Sequence, residues 1–134
     1  VGPVGKPEDL NNASVVMKVV YGKNSFLFTG DAEEKSEKKI LANGADIKAD
    51  VLKLGHHGSS TSTSEEFLKV VSPSLALISC GKDNDYGHPH KETIEKLEKY
   101  NIPYERTDIK GTIVVGSDGE HLSTAFPDNK TAEK

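Results

Sequence analysis

The feature that most limits what this chain can fold into is an apolar segment that stops at a glycine and delivers two adjacent histidines into a Gly/Ser turn. It reads Val51-Leu52-Lys53-Leu54-Gly55-His56-His57-Gly58-Ser59-Ser60. A strand ends this way when the chain must turn sharply and present side chains at a sheet edge. Neutral imidazole is a common metal ligand and a frequent general base, so the pair marks the first place to look for chemistry. Taken alone, a His-His pair in a polar loop is more often just hydrated. Two further apolar segments end the same way. Ser25 to Thr29 runs into Gly30-Asp31, and Leu75 to Ser79 runs through Cys80-Gly81 toward His88 and His90. In open α/β sheets, sites form in the loops that follow strand ends.

The elements around these turns alternate. Ser14 to Tyr21 and Ser25 to Thr29 flank Gly22-Lys23-Asn24 and read as an antiparallel hairpin. A charged helix is expected from Glu33 to Ala42, its charges a solvated face, with Asn43-Gly44 as its stop. Asp50 to Leu54 is the strand entering the His-His turn. Ser64 with Glu65 and Glu66 begins a helix that ends before Pro73, and Leu75 to Ser79 suits a buried strand. A helix from Lys91 to Tyr100 and short strands at 104–107, 111–115 and 120–124 complete the pattern. The chain is expected to open with a loop over residues 1–12 and to end in a disordered tail over 127–134. The class is α/β, a mixed sheet with helices on one face.

Composition narrows the chemistry. The 134 residues suit one domain, and the 34% apolar content, which leaves out 12 glycines, suits a polar-surfaced globular chain. A net charge of −4 argues against a nucleic-acid footprint spread over the whole surface. It leaves room for a phosphate held by a local metal ion, which dominates the field of its site. The single cysteine, Cys80, rules out an internal disulfide and a multi-thiolate zinc site, and its apolar setting reads as an inert buried thiol. No apolar stretch has the length of a membrane span, and no signal peptide is visible. The chain begins without Met in loop-like sequence, which reads as a piece of a longer protein. Asp31 by itself is most simply a turn or capping residue, and His88 and His90 by themselves are solvent-facing loop residues. Together, an Asp and imidazoles at neighbouring strand ends suit a divalent ion such as zinc or manganese.

Five stretches in order carry a resemblance: Asn11-Asn12-Ala13-Ser14-Val15-Val16, Phe28-Thr29-Gly30-Asp31-Ala32-Glu33, Ala49 through Ser59, Tyr86-Gly87-His88-Pro89, and Arg106-Thr107-Asp108 with Gly111-Thr112-Ile113. From about Asn11 to Phe126 the chain resembles the metallo-β-lactamase-fold domain at the C-terminal end of the ComEC/Rec2 family of bacterial competence proteins and related secreted hydrolases. The resemblance implies an αβ/βα sandwich with one or two metal ions between its sheets, of which residues 13–126 would form the C-terminal half. It implies that Asp31 is the metal-bridging aspartate and that one of His56 and His57 is a metal ligand. His56 is favoured because related folds put that ligand directly after a strand-end glycine. It further implies that His57, His88 and Ser59 contact substrate or assist the leaving group, with Asn84 and Tyr86 shaping the pocket.

The family's principal metal motif, His-x-His-x-Asp-His, has no counterpart here, and no histidine precedes His56. The expected partner is therefore the N-terminal half of the same domain, with the metal site only partial in this stretch. The implied activity is that of a metal-dependent phosphodiesterase or nuclease linked to DNA uptake, in a parent that is extracytoplasmic or membrane-attached. DNA or another phosphoester is the expected substrate, and a homodimer through the uncovered sheet face is a further expectation. The rival reading is a non-catalytic scaffold or binding module with a degenerate metal site.

Overall fold

The computed structural model describes residues 1–129. Strand β1 (Met17–Tyr21) and β2 (Asn24–Phe28) form the expected hairpin, in register from Met17 opposite Phe28 to Tyr21 opposite Asn24. Helix α1 (Glu34–Ala42) then crosses to β3 (Val51–Lys53), which lies parallel to β2. Helix α2 (Glu65–Val71) leads to β4 (Leu75–Ile78), and α3 (Lys91–Lys99) to β5 (Tyr104–Arg106), both added in parallel. The sheet is thus mixed, with its five strands in chain order, β1-β2-β3-β4-β5. After it come a one-turn helix α4 (Thr107–Lys110) and a separate antiparallel ribbon of β6 (Val114–Ser117) and β7 (Leu122–Ala125).

Side chains alternate across a strand, so the register sorts the sheet into two faces. Leu27, Leu52 and Ala76 lie level with one another and, with Ile78, point into the main core. There they meet Ile40 of α1, Phe67, Leu68 and Val71 of α2, and Leu97 of α3, all fully buried. The opposite face carries Phe26, Phe28, Val51 and Leu77 and bounds an open groove of about 390 Å³. Ile113 and Val115, from the segment running into the ribbon, line its far side.

The helix ends follow local chemistry. Ser64 caps α2, its hydroxyl accepting from the Phe67 N–H at 3.3 Å, and Ser72 ends it in the left-handed region just before Pro73. Glu33, at the start of α1, makes no capping bond of its own. The distant Asn12 does that work: its Oδ1 accepts from the N–H groups of Glu33 and Ser36, at 3.2 and 3.1 Å. Asp9 in turn accepts from the Asn12 side chain through both carboxylate oxygens.

Three local expectations change. Glu37 is not part of a solvated helix face: it is 1% exposed and accepts from the N–H groups of Thr63 and Ser64. The strand expected at 111–115 begins later, because residues 107–110 form α4 and Gly111 turns the chain at φ +71. Residues 127–129 form a turn that packs back, the Asn129 side chain donating to the Lys110 carbonyl at 2.9 Å. The rest of the expected tail, 130–134, lies outside the described residues.

Candidate functional site

The ends of β2, β3 and β4 lie side by side at one edge of the sheet, and backbone contacts hold their turns together. The Thr29 hydroxyl donates to the Lys53 carbonyl at 2.7 Å, and the His56 N–H donates to the Gly30 carbonyl at 2.9 Å. Gly55 makes that approach possible, since a Cβ there would sit 2.7 Å from the Ala32 carbonyl oxygen. Gly58 does the same on the other side. It sits at φ +83, and a Cβ would stand 2.7 Å from the Pro89 Cβ. The Gly58 carbonyl also accepts from the Thr93 hydroxyl at 2.7 Å and the His90 N–H at 3.1 Å, seating the start of α3. Between these glycines, His56 (φ 49, ψ 46) and His57 (φ 57, ψ 26) both adopt the left-handed region. Non-glycine residues rarely do so, and strain of this kind concentrates where side chains must be aimed.

The two rings are aimed differently. His57 Nδ1 lies 2.8 Å from the Ser79 carbonyl, which can only accept, so Nδ1 carries the proton. Its Nε2 faces the Asp31 carboxylate, with Oδ1 at 3.6 Å, and in the neutral ring that nitrogen holds a lone pair. A ring fixed through one nitrogen by a carbonyl, with the other nitrogen free beside a carboxylate, is the usual posture of a metal-ligating histidine. Asp31 is itself held through its N–H by the Ser14 hydroxyl at 3.1 Å. His56 turns instead toward Glu33. Its buried Nδ1 lies 3.4 Å from Oε2, near enough for an ion pair when protonated but not aligned as a hydrogen bond.

His88 joins both rings. Its centroid lies 5.6 Å from that of His56 and 6.0 Å from that of His57, to which it is nearly parallel. Burial holds the His88 pKa below its usual value, and the neighbouring His90, His56 and His57 add to that effect. Its place is set by Asn84. That amide accepts from the His88 N–H at 2.9 Å and donates to the His88 carbonyl at 2.7 Å, gripping one residue from both sides.

His90 is no free loop residue. Its Nδ1 accepts from the Ser60 N–H at 2.9 Å, which places the proton on Nε2, 3.1 Å from the Tyr86 carbonyl. The ring thereby clasps the Ser59-Ser60 turn to the loop that bears His88. Ser59 is turned inward, 3% exposed, with its hydroxyl engaged by Thr61 at 2.9 Å. Cys80 is partly buried beside Asp108, and burial followed by that carboxylate raises its pKa, in keeping with an inert thiol.

The sequence reading did not single out Glu33 or the tethering role of His90. Glu33 closes the Phe28-Thr29-Gly30-Asp31-Ala32-Glu33 stretch, but nothing local in the sequence says that His56 faces it. The His90 clasp depends on Ser60, thirty positions away, and no spacing rule reaches that far.

Residues 2–82 match the Metallo-beta-lactamase superfamily. The chain belongs to that superfamily. It is 45% identical to the ComE operon protein 3 of Bacillus subtilis over 80% of its length, covering 14% of that protein. It is 47% identical to Recombination protein 2 of Haemophilus influenzae, over 78% of the chain and 13% of the relative. With the competence protein ComA of Neisseria gonorrhoeae the identity is 39%, over 81% of the chain and 16% of the relative. The chain therefore spans only a small part of the length of these relatives. The superfamily fold and the resemblance to competence proteins agree with the motifs read from the sequence. Among the described residues no helix is long and apolar enough to cross a membrane.

Superfamily membership implies metal, and the donor chemistry permits a limited test. Asp31 and His57 offer a carboxylate and a free imidazole lone pair to the same space. A zinc centre needs three or four protein ligands, and among the described residues no group of three or more His, Cys, Asp or Glu side chains is arranged to hold an ion. Asp31 and His57 supply two donors, fewer than a zinc centre needs.

Proposed function

We propose that this chain is part of a metal-dependent phosphodiesterase that acts on DNA during its uptake, and forms the C-terminal half of that protein's metallo-β-lactamase-fold domain. The observation that carries the reading is the Asp31–His57 pair, a carboxylate and a tautomer-fixed imidazole meeting at the edge where three strands end. In this reading Asp31 and His57 hold the ion, zinc or manganese, and the remaining donors come from the N-terminal half of the same domain. His57 takes the ligand role for which the residue order favours His56, because its Nε2 alone combines a free lone pair with a fixed ring. A bound divalent ion would polarise the phosphoryl oxygen and lower the pKa of water.

The chain's own side chains do the rest. His88, held by Asn84 beside both ring neighbours, meets the phosphate or the departing oxygen. Its lowered pKa keeps the ring neutral near neutral pH, suited to accepting a proton before it donates one. His56 with Glu33 forms a second polar wall. Ser59, enclosed with Thr61, shapes the turn. The relatives include a protein named for recombination and one named for competence, and this supports DNA as the substrate.

The test is metal content and phosphodiester cleavage, measured on this chain and on a longer form that includes the preceding half-domain. The longer form should hold one or two transition-metal ions and cleave a generic phosphodiester. Asp31→Ala and His57→Ala should each remove both properties, and His56→Ala should leave most of the metal. A longer form that is metal-free and inert would favour the scaffold reading. Loss of metal from His56→Ala with retention in His57→Ala would reverse the ligand assignment.

A further inference from the structure

The Tyr86 side chain stands largely in solvent, 77% exposed, and its hydroxyl makes no hydrogen bond among the described residues. Its backbone, by contrast, is pinned on both sides: the N–H donates to Asn84 Oδ1 at 3.1 Å, and the carbonyl accepts from His90 Nε2 at 3.1 Å. A fixed backbone presenting a bare aromatic ring is a preorganised contact surface rather than a loose loop residue.

The orientation of the ring adds direction. Tyr86 stacks on His88 with centroids 5.6 Å apart and planes 18° from parallel, and His88 continues to His57 at 6.0 Å and 22°. Three nearly parallel rings thus step from solvent to the imidazole that faces Asp31. A cavity of about 180 Å³ runs alongside, lined by His57, Asn84, Tyr86 and His88. Both centroid distances lie in the range of offset stacking, so the outer face of Tyr86 is where the next flat ring would add.

We propose that Tyr86 is the stacking platform for an unpaired nucleobase of the strand whose phosphodiester lies at the Asp31–His57 edge. This rests on the phosphodiesterase reading of that edge and adds to it a preference for single-stranded nucleic acid. Stacked bases in a duplex offer no free face to a protein ring, whereas unpaired bases do. The loop also carries Asp83 and Asp85 against the single Lys82, so stacking rather than phosphate neutralisation supplies the attraction, and the salt dependence should be shallow.

The experiment is an NMR titration of the chain with a short single-stranded oligodeoxyadenylate, beside an abasic phosphodeoxyribose chain of equal length and the corresponding duplex. The oligodeoxyadenylate should shift the Tyr86 and His88 ring resonances. Tyr86→Ala should weaken it about tenfold, while Tyr86→Phe should bind as the original. The abasic chain and the duplex should bind weakly and equally to all three proteins. Equal binding of the oligodeoxyadenylate to the Tyr86→Ala protein, equal binding of the abasic chain to the original, or no binding would overturn the proposal. Circular dichroism on the Tyr86→Ala protein separates lost contact from lost fold. Cleavage by the longer form reports separately on catalysis: base-dependent binding without cleavage keeps the platform and removes the hydrolase.

Discussion

The two faces of the five-stranded sheet are built from similar residues and end in different states. On the helix side, Leu27, Leu52, Ala76 and Ile78 vanish beneath α1, α2 and α3. On the other side, Val19 and Phe28 remain 39% and 40% exposed, although Ile113 and Val115 come over part of the surface. Apolar residues are equally available to both faces, so hydrophobicity alone does not decide what is buried. What differs is the cover. Each βα crossover returns a helix to the same face, and only one narrow ribbon is left for the other. The first face is closed by helices, and the second keeps an open apolar groove.

The sharpest way to break that contrast is to delete matched side chains. Phe67→Ala removes a ring that is 1% exposed and should cost about 3–5 kcal/mol in urea unfolding. Phe28→Ala, on the open face, should cost about 1 kcal/mol or less. Equal losses would mean that the open face already contributes as much as the closed one.

Charged groups give a second, smaller comparison. On the helix side, Glu37 receives two backbone N–H bonds, and burial raises its pKa despite them. Glu37→Gln replaces one acceptor oxygen with an amide that faces an N–H, and should cost about 1–3 kcal/mol. The sign with pH follows from the raised pKa. The folded chain binds the Glu37 proton more readily than the unfolded one, so this group's contribution is largest below the ordinary glutamate pKa and falls as pH rises through the folded value. The advantage of the original over Glu37→Gln should therefore grow on acidification from pH 7, read from paired urea titrations. A gap that shrinks would show that the two N–H bonds outweigh burial.

The smallest effect belongs to Lys53 on the open face. It lies beside Phe28 and Leu77, its ammonium donating, among the described residues, only to the Leu54 carbonyl, and burial lowers its pKa. Lys53→Met should be neutral or stabilising by about 1 kcal/mol at pH 7. The folded chain gives up this proton more readily than the unfolded one, so any gain should fade toward the ordinary lysine pKa. A clear loss of thermal stability would instead identify Lys53 as a needed counter-charge for Asp31.

Much of this arrangement was legible from the residues in order. Strand ends at Gly30, Gly55 and Gly81 follow local turn chemistry, and the α/β class follows from the alternation of elements. Of the sheet's pairings only the β1–β2 hairpin was readable, because its short turn joins two adjacent strands; the parallel neighbours β3, β4 and β5 are joined through helices and leave no such signal. The sequence hid what depends on tertiary approach. Glu37 sits in a run of charges that looks solvated, and only the arrival of the Thr63-Ser64 turn encloses it. The choice between His56 and His57 turns on two left-handed backbone conformations, which histidine does not signal. The shift of β6 follows from α4, a single turn too short to leave a periodic pattern.

Strands in chain order also say something about assembly. Within the five-stranded sheet, every strand after the first pairs with the one laid down before it, so no pairing there waits for a distant segment. A chain emerging from the ribosome can extend the sheet one edge at a time, closing each helix over the side already formed, in the order in which domains are synthesised. The hairpin of β1 and β2 is then the template and β5 the last addition. The ribbon arrives afterwards, where Gly119 meets Gly22 and the Lys23 N–H donates to the Gly119 carbonyl at 2.6 Å. That late contact fastens the ribbon to the hairpin on which the sheet was begun.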